Sequence, residues 1–308
     1  MLSKFQKKFY IYIMLCNICP RNCNADRSKN VGFCGQKALK IQKAMVHRFE
    51  EPIICEKNGS GAIFFSGCNL KCLFCQNYQL SHQGKGVEIS VQDLVEIIKK
   101  LESKGVNNIN FVTPTHYTDK IIEALKIYKP KIPVVWNTSG YEKPETIERL
   151  KGYVDIFLFD LKYYSSSLSK EYSGAEDYFE FAKKSLKKAR QIIPKDVIEN
   201  GIMKKGIIIR HLVLPKASAD SCKILDEIYN MLGNNVIISL LNQYTPCYKA
   251  KQHEILKNKV KDIEYKRVVC YALKLGFFNA YVQEKSSQTE EYIPNFEEKF
   301  VLGNFLKS

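Results

Sequence analysis

The chain has 308 residues, of which 45% are hydrophobic and 26% charged, with 16 glycines and 10 prolines; this excludes a disordered or collagen-like chain and leaves an ordinary globular composition with enough apolar residues for a sizeable core. The formal net charge is +15, yet only seven of the 47 basic residues are arginine. Such a lysine excess reads as solvated helix faces, whereas nucleic-acid readers lean on arginine, so nucleic acid is not an expected partner.

In chain order, the first apolar run covers 9–15 and is far shorter than the ~20 residues of a spanning helix. Lys4, Lys7 and Lys8 precede it, but no small-residue cleavage site follows, and Met14 is an alternative start. The expectation is a cytoplasmic protein with no membrane partner. In that compartment clustered cysteines, seven of the eleven here, read as metal or redox sites rather than disulfides.

Four of them come next. Cys16, Cys19, Cys23 and Cys34 are spaced C-x2-C-x3-C-x10-C, with turn residues around Cys19 and Cys34. Four thiolates suit a closed site for zinc or a single iron. A second iron–sulfur cluster acting as an electron relay fits the spacing equally, and four free thiols are the plain alternative.

Ala62, Ile63, Phe64 and Phe65 form an apolar run that reads as a buried strand. Cys68, Cys72 and Cys75 leave its end as C-x3-C-x2-C, with Phe74 before the last cysteine. Iron–sulfur cubanes usually take four cysteines. Three leave one iron open to a small molecule. Zinc held by these three and a remote histidine is the alternative.

Beyond Cys75 the pattern alternates. A helix is expected over 90–104, with Val91, Leu94, Val95, Ile98 and Leu101 on one face and Ser90 with Asp93 as its cap. Strands follow at 109–113, 133–137, 155–160, 207–214 and 236–241, with a short one at 279–282. Helices follow at 119–128, 144–150, 178–192, 218–232 and 263–275. The stretches 163–177 and 245–254 read as unstructured. Six strand–helix units predict an α/β fold, an open, partial (β/α)6 TIM-like barrel with a parallel sheet. The division is a Cys-rich metal-binding segment at 1–57, the barrel at 58–283 and a tail at 284–308. Phe296, Phe300, Leu302 and Phe305 would pack the tail back on the barrel or dock a partner.

Ligands of parallel barrels bind at the carboxyl ends of the strands. That rule selects Thr113, Thr115 and His116, then Asn137 and Ser139, then Asp160 and Lys162. It also selects Arg210 and His211, and a last strand end at Asn242, Gln243 and Tyr244. Arg210 and His211 are adjacent, so only one faces inward; His211 is the expected one. Cys222 and Cys270 read as small core residues on helices. Cys55 is expected near the N-terminal site, and Cys247 on the mouth side, as a free thiol or a radical relay.

Cys68-x3-Cys72-x-Phe74-Cys75 resembles the radical S-adenosylmethionine superfamily. The wider text is similar to one branch, the homologues of pyruvate formate-lyase activating enzyme (PflX-like). The N-terminal cysteines, Glu50-Glu51-Pro52, Asn137-Thr138-Ser139-Gly140-Tyr141, Asp160-Leu161-Lys162-Tyr163 and Arg210-His211-Leu212-Val213-Leu214-Pro215 carry that likeness over roughly 16–247. The resemblance implies a radical SAM barrel and a [4Fe-4S] cluster on Cys68, Cys72 and Cys75. It implies S-adenosyl-L-methionine at the open iron, cleaved to a 5′-deoxyadenosyl radical that abstracts hydrogen from a substrate. Phe74, Asp160 and Lys162 would line the cofactor pocket, and Asn137 and Ser139 would reach the ribose. The Gly-Gly-Glu-type turn of most members is replaced by Thr113-Pro114-Thr115-His116, so hydroxyls or carbonyls there would take over its role. Implied partners are a glycyl radical enzyme as protein substrate and a flavodoxin or ferredoxin as electron donor. Two other functions fit parts of the sequence: a radical enzyme that modifies RNA, and a non-catalytic electron carrier or zinc-knuckle adaptor.

Overall fold

The computed structural model describes residues 15–289, 294–296 and 300–307; the early lysines, Met14 and the apolar run before Leu15 lie outside them. The chain begins as a cysteine knuckle held by one antiparallel bridge between Cys16 and Ala25. Strand β1 (Lys40–His47), the one-turn helix α1 (Pro52–Cys55) and strand β2 (Ser60–Phe65) follow, then α2 (Tyr78–Ser81) and β3 (Val87–Glu88). From there strands and helices alternate: α3 (Val91–Ser103), β4 (Ile109–Val112), α4 (Thr118–Ile127), β5 (Val134–Thr138), α5 (Pro144–Arg149) and β6 (Ile156–Asp160). The second half comprises α6 (Ser166–Ser173), α7 (Tyr178–Ile192), β7 (Val197–Glu199), β8 (Ile202–Leu212), α8 (Ser218–Leu232), β9 (Ile237–Leu241), α9 (Asp262–Lys274), β10 (Ala280–Val282) and α10 (Leu302–Lys307).

The sheet runs β10-β9-β8-β6-β5-β4-β2-β1-β3. Along this path every pairing from β2 to β10 is parallel, whereas β1 is antiparallel to both β2 and β3, and β7, off the path, is antiparallel to β8. This is the expected partial (β/α)6 barrel with an antiparallel edge added. No helix among the described residues is long and apolar enough to cross a membrane.

Alternation along the strands sorts side chains into two cores. Ile63, Phe65, Phe111, Trp136, Phe157, Phe159, Ile207 and Ile209 face outward and are buried beneath the helices. Val135, Ile156, Leu158, Ile208 and Ile237 face inward. What fills the interior is α1, whose Ile53 and Ile54 pack on those inward residues. Residues 48–55 thus plug the barrel and bring Glu50 and Glu51 inside it.

Several elements differ from the sequence expectation. Residues 40–55, read as part of the Cys-rich segment, supply an edge strand and the plug. Helix α6 lies within 163–177: Ser165 Oγ caps Leu168 N at 3.4 Å and Gly174, in the left-handed region, ends the helix. A 3-10 turn (Tyr248–Gln252) lies within 245–254. Strand β8 starts at Ile202, ahead of the expected 207, because it forms a hairpin with β7. Cys222 is half-buried and Cys270 is exposed, so neither is the core residue expected; their helices turn them away from the sheet. Cys55 bonds Asn107 Nδ2 and Gly59 N through its carbonyl. It therefore sits at the amino ends of the strands, opposite to the knuckle.

The tail packs back on the barrel. Phe296 is buried against Ala62, Phe64, Leu80 and Val112, and Phe300, Leu302 and Phe305 lie on the outer core. Gln42 Nε2 and Lys43 Nζ on β1 bond the Phe296 and Asn295 carbonyls at 2.9 and 2.7 Å. Gln288 bonds Asn242 and the Val260 carbonyl near the last strands. The described parts of the tail therefore bond to β1 at one side of the open sheet and to residues beside its last strands at the other.

Candidate active site

The three clustered cysteines lie on the loop that leaves β2, and all three face a cavity of about 500 Å³ at the carboxyl ends of the strands. The Ser173 hydroxyl donates to Cys72 Sγ at 2.9 Å, Leu70 N donates to Cys68 Sγ at 3.4 Å, and Cys75 Sγ lies 3.1 Å from Ser81 Oγ. Burial and the neighbouring Cys72 raise both other thiols, Cys75 to about 12. Phe74 completes this wall, edge-on to Tyr163 and Tyr244. Cys247 stands behind it, its Sγ donating to the Phe74 carbonyl at 3.2 Å.

Thr113, Asn137, Ser139, Asp160 and Lys162 line the same cavity. Thr113 has φ of +57°, a left-handed geometry costly for a β-branched residue and frequent at functional sites. Arg210, rather than His211, faces the cavity. Inward-facing Ile208 fixes the parity of β8, so Arg210 shares its face and His211 takes the other. Arg210 Nε donates to Asp160 Oδ1 at 2.8 Å and its Nη2 to Asn137 Oδ1 at 2.7 Å. Lys162 Nζ donates to Asp160 Oδ2 at 2.7 Å. Burial pushes the Asp160 carboxyl up, but Arg210 and Lys162 outweigh it and hold it below its ordinary range.

Four expected residues lie outside the cavity: Thr115, His116, His211 and Asn242, whose Oδ1 accepts from Gln288 Nε2 at 3.0 Å. His211 is buried under α8, with Nδ1 2.6 Å from the Leu161 carbonyl and Nε2 2.8 Å from Ser221 Oγ. His116 is buried with Nε2 2.7 Å from the Ser66 carbonyl, and burial lowers it to about 4, so it is a neutral brace for the cysteine loop. Thr115 donates to Glu142 Oε1 at 2.8 Å, as do Thr138 Oγ1 and Trp136 Nε1. Their hydroxyls and rings are already engaged, so of the Thr113–His116 turn only Thr113 reaches the cavity. Gln243 and Tyr244, selected at the last strand end, also line it, whereas the sequence reading missed Glu50, Glu51, Ser239 and Thr245. The consecutive Glu50 and Glu51 beside Pro52 were the available signal, but nothing local shows that they enter the barrel.

The knuckle leans on the cysteine loop. Gly67, at φ +86°, touches it so closely that a Cβ would stand 2.6 Å from both the Cys34 carbonyl oxygen and Gln36 Cγ. Arg21 Nε donates to the Asn69 carbonyl at 2.7 Å, and its guanidinium stacks 3.9 Å from the Phe33 ring centre. Arg27 bridges the His116 carbonyl at 2.6 Å and Cys34 Sγ at 3.3 Å. Burial raises the Cys19 thiol to about 12, with Cys23 and Cys16 adding to the effect. Among the described residues no three His, Cys, Asp or Glu side chains close on the position of one ion.

Comparison with known proteins agrees with this architecture. The chain is 31% identical over 270 residues to an uncharacterised protein of Methanocaldococcus jannaschii, covering 84% of this chain and 74% of the relative. It is 24% identical over 215 residues to the pyruvate formate-lyase-activating enzyme of Clostridium pasteurianum, covering 66% of this chain and 82% of that enzyme. Among solved structures, a radical SAM methyltransferase from Sphaerobacter thermophilus superposes with a TM-score of 0.50 at 12% identity, covering 72% of this chain. The chain spans 65% of that methyltransferase, so that likeness speaks for the fold alone. The family described as the radical SAM superfamily matches residues 62–211. That match runs from β2 to β8, the strands that carry the cysteine loop and the charged wall opposite it, and the chain belongs to the radical S-adenosylmethionine superfamily.

Proposed function

We propose that the protein reductively cleaves S-adenosylmethionine at a [4Fe-4S] cluster on Cys68, Cys72 and Cys75 and abstracts hydrogen from a substrate held in the barrel. One observation carries this reading: three buried thiols open onto a single cavity whose far wall is the Asp160, Lys162 and Arg210 network.

The residues present fit the cofactors. Burial raises the Cys68 and Cys75 thiols, Cys75 to about 12, so these two become ligands only beside a strong positive centre. Ser139 Oγ and Thr245 Oγ1 are buried in the cavity wall with no hydrogen-bond partner, leaving polar atoms for a ligand. When bound, the cofactors supply the electron and the radical chemistry. The chain positions and shields them: Arg210 fixes Asp160 and Asn137, Asp160 fixes Lys162, and Phe74 with Tyr244 keeps water from the thiol side.

The activating-enzyme relative supports a glycyl group of a partner protein as the hydrogen donor. It equally supports a flavodoxin or ferredoxin as reductant, docked on a basic surface; reduction by flavodoxin should then slow as salt rises, and a rate independent of salt removes that partner. The four-cysteine knuckle is proposed as a metal site for zinc, iron or a second cluster, and metal analysis of a Cys19→Ser variant tests it. A cytoplasmic, reducing setting would keep all eleven cysteines as the free thiols observed.

The test of the main reading is anaerobic. The protein is reconstituted with iron and sulfide, supplied with S-adenosylmethionine and dithionite, and assayed for 5′-deoxyadenosine beside a Cys72→Ala control. Product lost in the control supports the reading. An intact cluster that gives none, with or without candidate substrates, moves the weight to an electron-transfer or adaptor role. Tight, salt-sensitive tRNA binding would instead favour RNA modification.

A further inference from the structure

The interior of the barrel holds three carboxylates and two cations, and both cations are committed to the same carboxylate. Arg210 donates to Asp160 and Asn137, and Lys162 donates to Asp160. Glu50 reaches Arg210 only at 3.7 Å, and its buried Oε2 has no hydrogen-bond partner. The Glu50 side chain is 10% exposed. Glu51 is 8% exposed and lines the cavity with it. Among the described residues no cation stands within ion-pair distance of Glu51. The plug does not need carboxylates to fold, since its packing comes from Ile53 and Ile54. Two buried acids with one positive charge too few are costly unless a ligand completes them.

We propose that the acidic floor of the cavity binds a protonated nitrogen of the substrate, an ammonium or guanidinium group, with Glu50 and Glu51 as its counter-charges. This rests on the cavity being the substrate chamber, as argued above. A carboxylate or phosphate would meet two unmatched acids, and the one further guanidinium of the lining, Arg48, lies exposed and bonds the Lys57 carbonyl. Phe74, Tyr244 and Tyr281 on the walls suit a cation and its alkyl stem.

The ionisation of Glu51 gives the site a pH signature. Burial raises this carboxyl to about 7, Arg210 opposes the rise, and Glu50 and Asp160 add to it. Ser239 on β9 and Tyr281 on β10 complete its surroundings. A cation that needs ionised Glu51 should bind about tenfold more tightly at pH 8 than at pH 6.

The experiment titrates the reconstituted protein with n-butylammonium, n-butanol and n-butyrate by calorimetry at both pH values. The net charge of +15 favours butyrate at every non-specific surface site, so a preference for the ammonium ion is diagnostic. The expected result is saturable ammonium binding that strengthens with pH, exceeds the other two probes and is lost in Glu51→Gln. Equal binding of all three, preference for butyrate, no detectable ammonium binding, or a flat pH profile would overturn the proposal. The wild-type pH profile stands even where Glu51→Gln fails to fold, and Glu50→Gln is the second variant. The 5′-deoxyadenosine assay on wild type separates the two readings. Cleavage without amine binding sinks only this inference, while amine binding without cleavage sinks only the radical mechanism.

Discussion

Glu51 shows how one buried side chain sets a pH dependence. Its carboxyl ionises near 7 in the fold, raised first by burial, and near 4.5 when the chain unfolds. Between those values the folded state holds the extra proton, so stability falls as pH rises and is fully reduced above 7, by about 3 kcal/mol from this group. Glu51→Gln should remove that slope, leaving the variant more stable than wild type at pH 8 but not at pH 4 in urea titrations; parallel curves would contradict it. Asp160 behaves oppositely. Arg210 and Lys162 outweigh burial and lower its carboxyl, so its contribution is present above the ordinary aspartate range and is lost as pH falls through its lowered value. Arg210→Ala should cost about 3 kcal/mol, because it strips the main partner from a largely buried charge. Arg210→Lys should restore part of that stability but not the bonds to both Asp160 and Asn137, and the affinity for S-adenosylmethionine reads the difference. At this scale the cysteines and most strand-end polar residues were legible, because residue type and spacing reveal them. The choice between Arg210 and His211 was not, since it depends on which face of β8 meets the interior.

Among the elements, α3 owes its start to the capping box visible in the sequence. Ser90 Oγ accepts from Asp93 N at 3.0 Å, and Ser90 N donates to Asp93 Oδ2 at 2.8 Å. Ser90→Ala should cost about 1 kcal/mol, measured by thermal or urea unfolding. The contact between knuckle and cysteine loop is more exacting. Gly67→Ala would force a Cβ onto the Cys34 carbonyl at a left-handed φ. Reconstitution should then yield much less bound iron and weaker cluster absorbance, and full loading would show that the knuckle does not position the loop. Helices α7 and α8 match their expected limits because their apolar stripes are long and periodic. Helix α6 escaped because its sequence is mostly serine and polar residues, although Ser165 and Gly174 mark its ends. Strand β1 escaped because no local signal pairs it with β2.

For the whole molecule, the tail decides how open the barrel is. Phe296 is 2% exposed among the inward residues of β2 and β4, with Gln42 and Lys43 holding the adjacent carbonyls. Phe296→Ala should lower stability by about 3 kcal/mol and make the chain beyond Ser287 cleavable by protease at low dose; unchanged proteolysis would argue that the tail is held elsewhere. A protein loop entering the cavity from this side would have to displace the same contact. The sequence by itself determined the alternating strand–helix units of the parallel barrel and the three-cysteine loop, since periodicity and spacing are local properties written within a few residues. Only the tertiary structure decided that residues 48–55 plug the interior, that Arg210 rather than His211 faces the cavity, and that two glutamates from the plug line its floor. Those outcomes depend on which distant surfaces exclude water together, and the interior Ile53 and Ile54 fill exists only once the strands have curled around them.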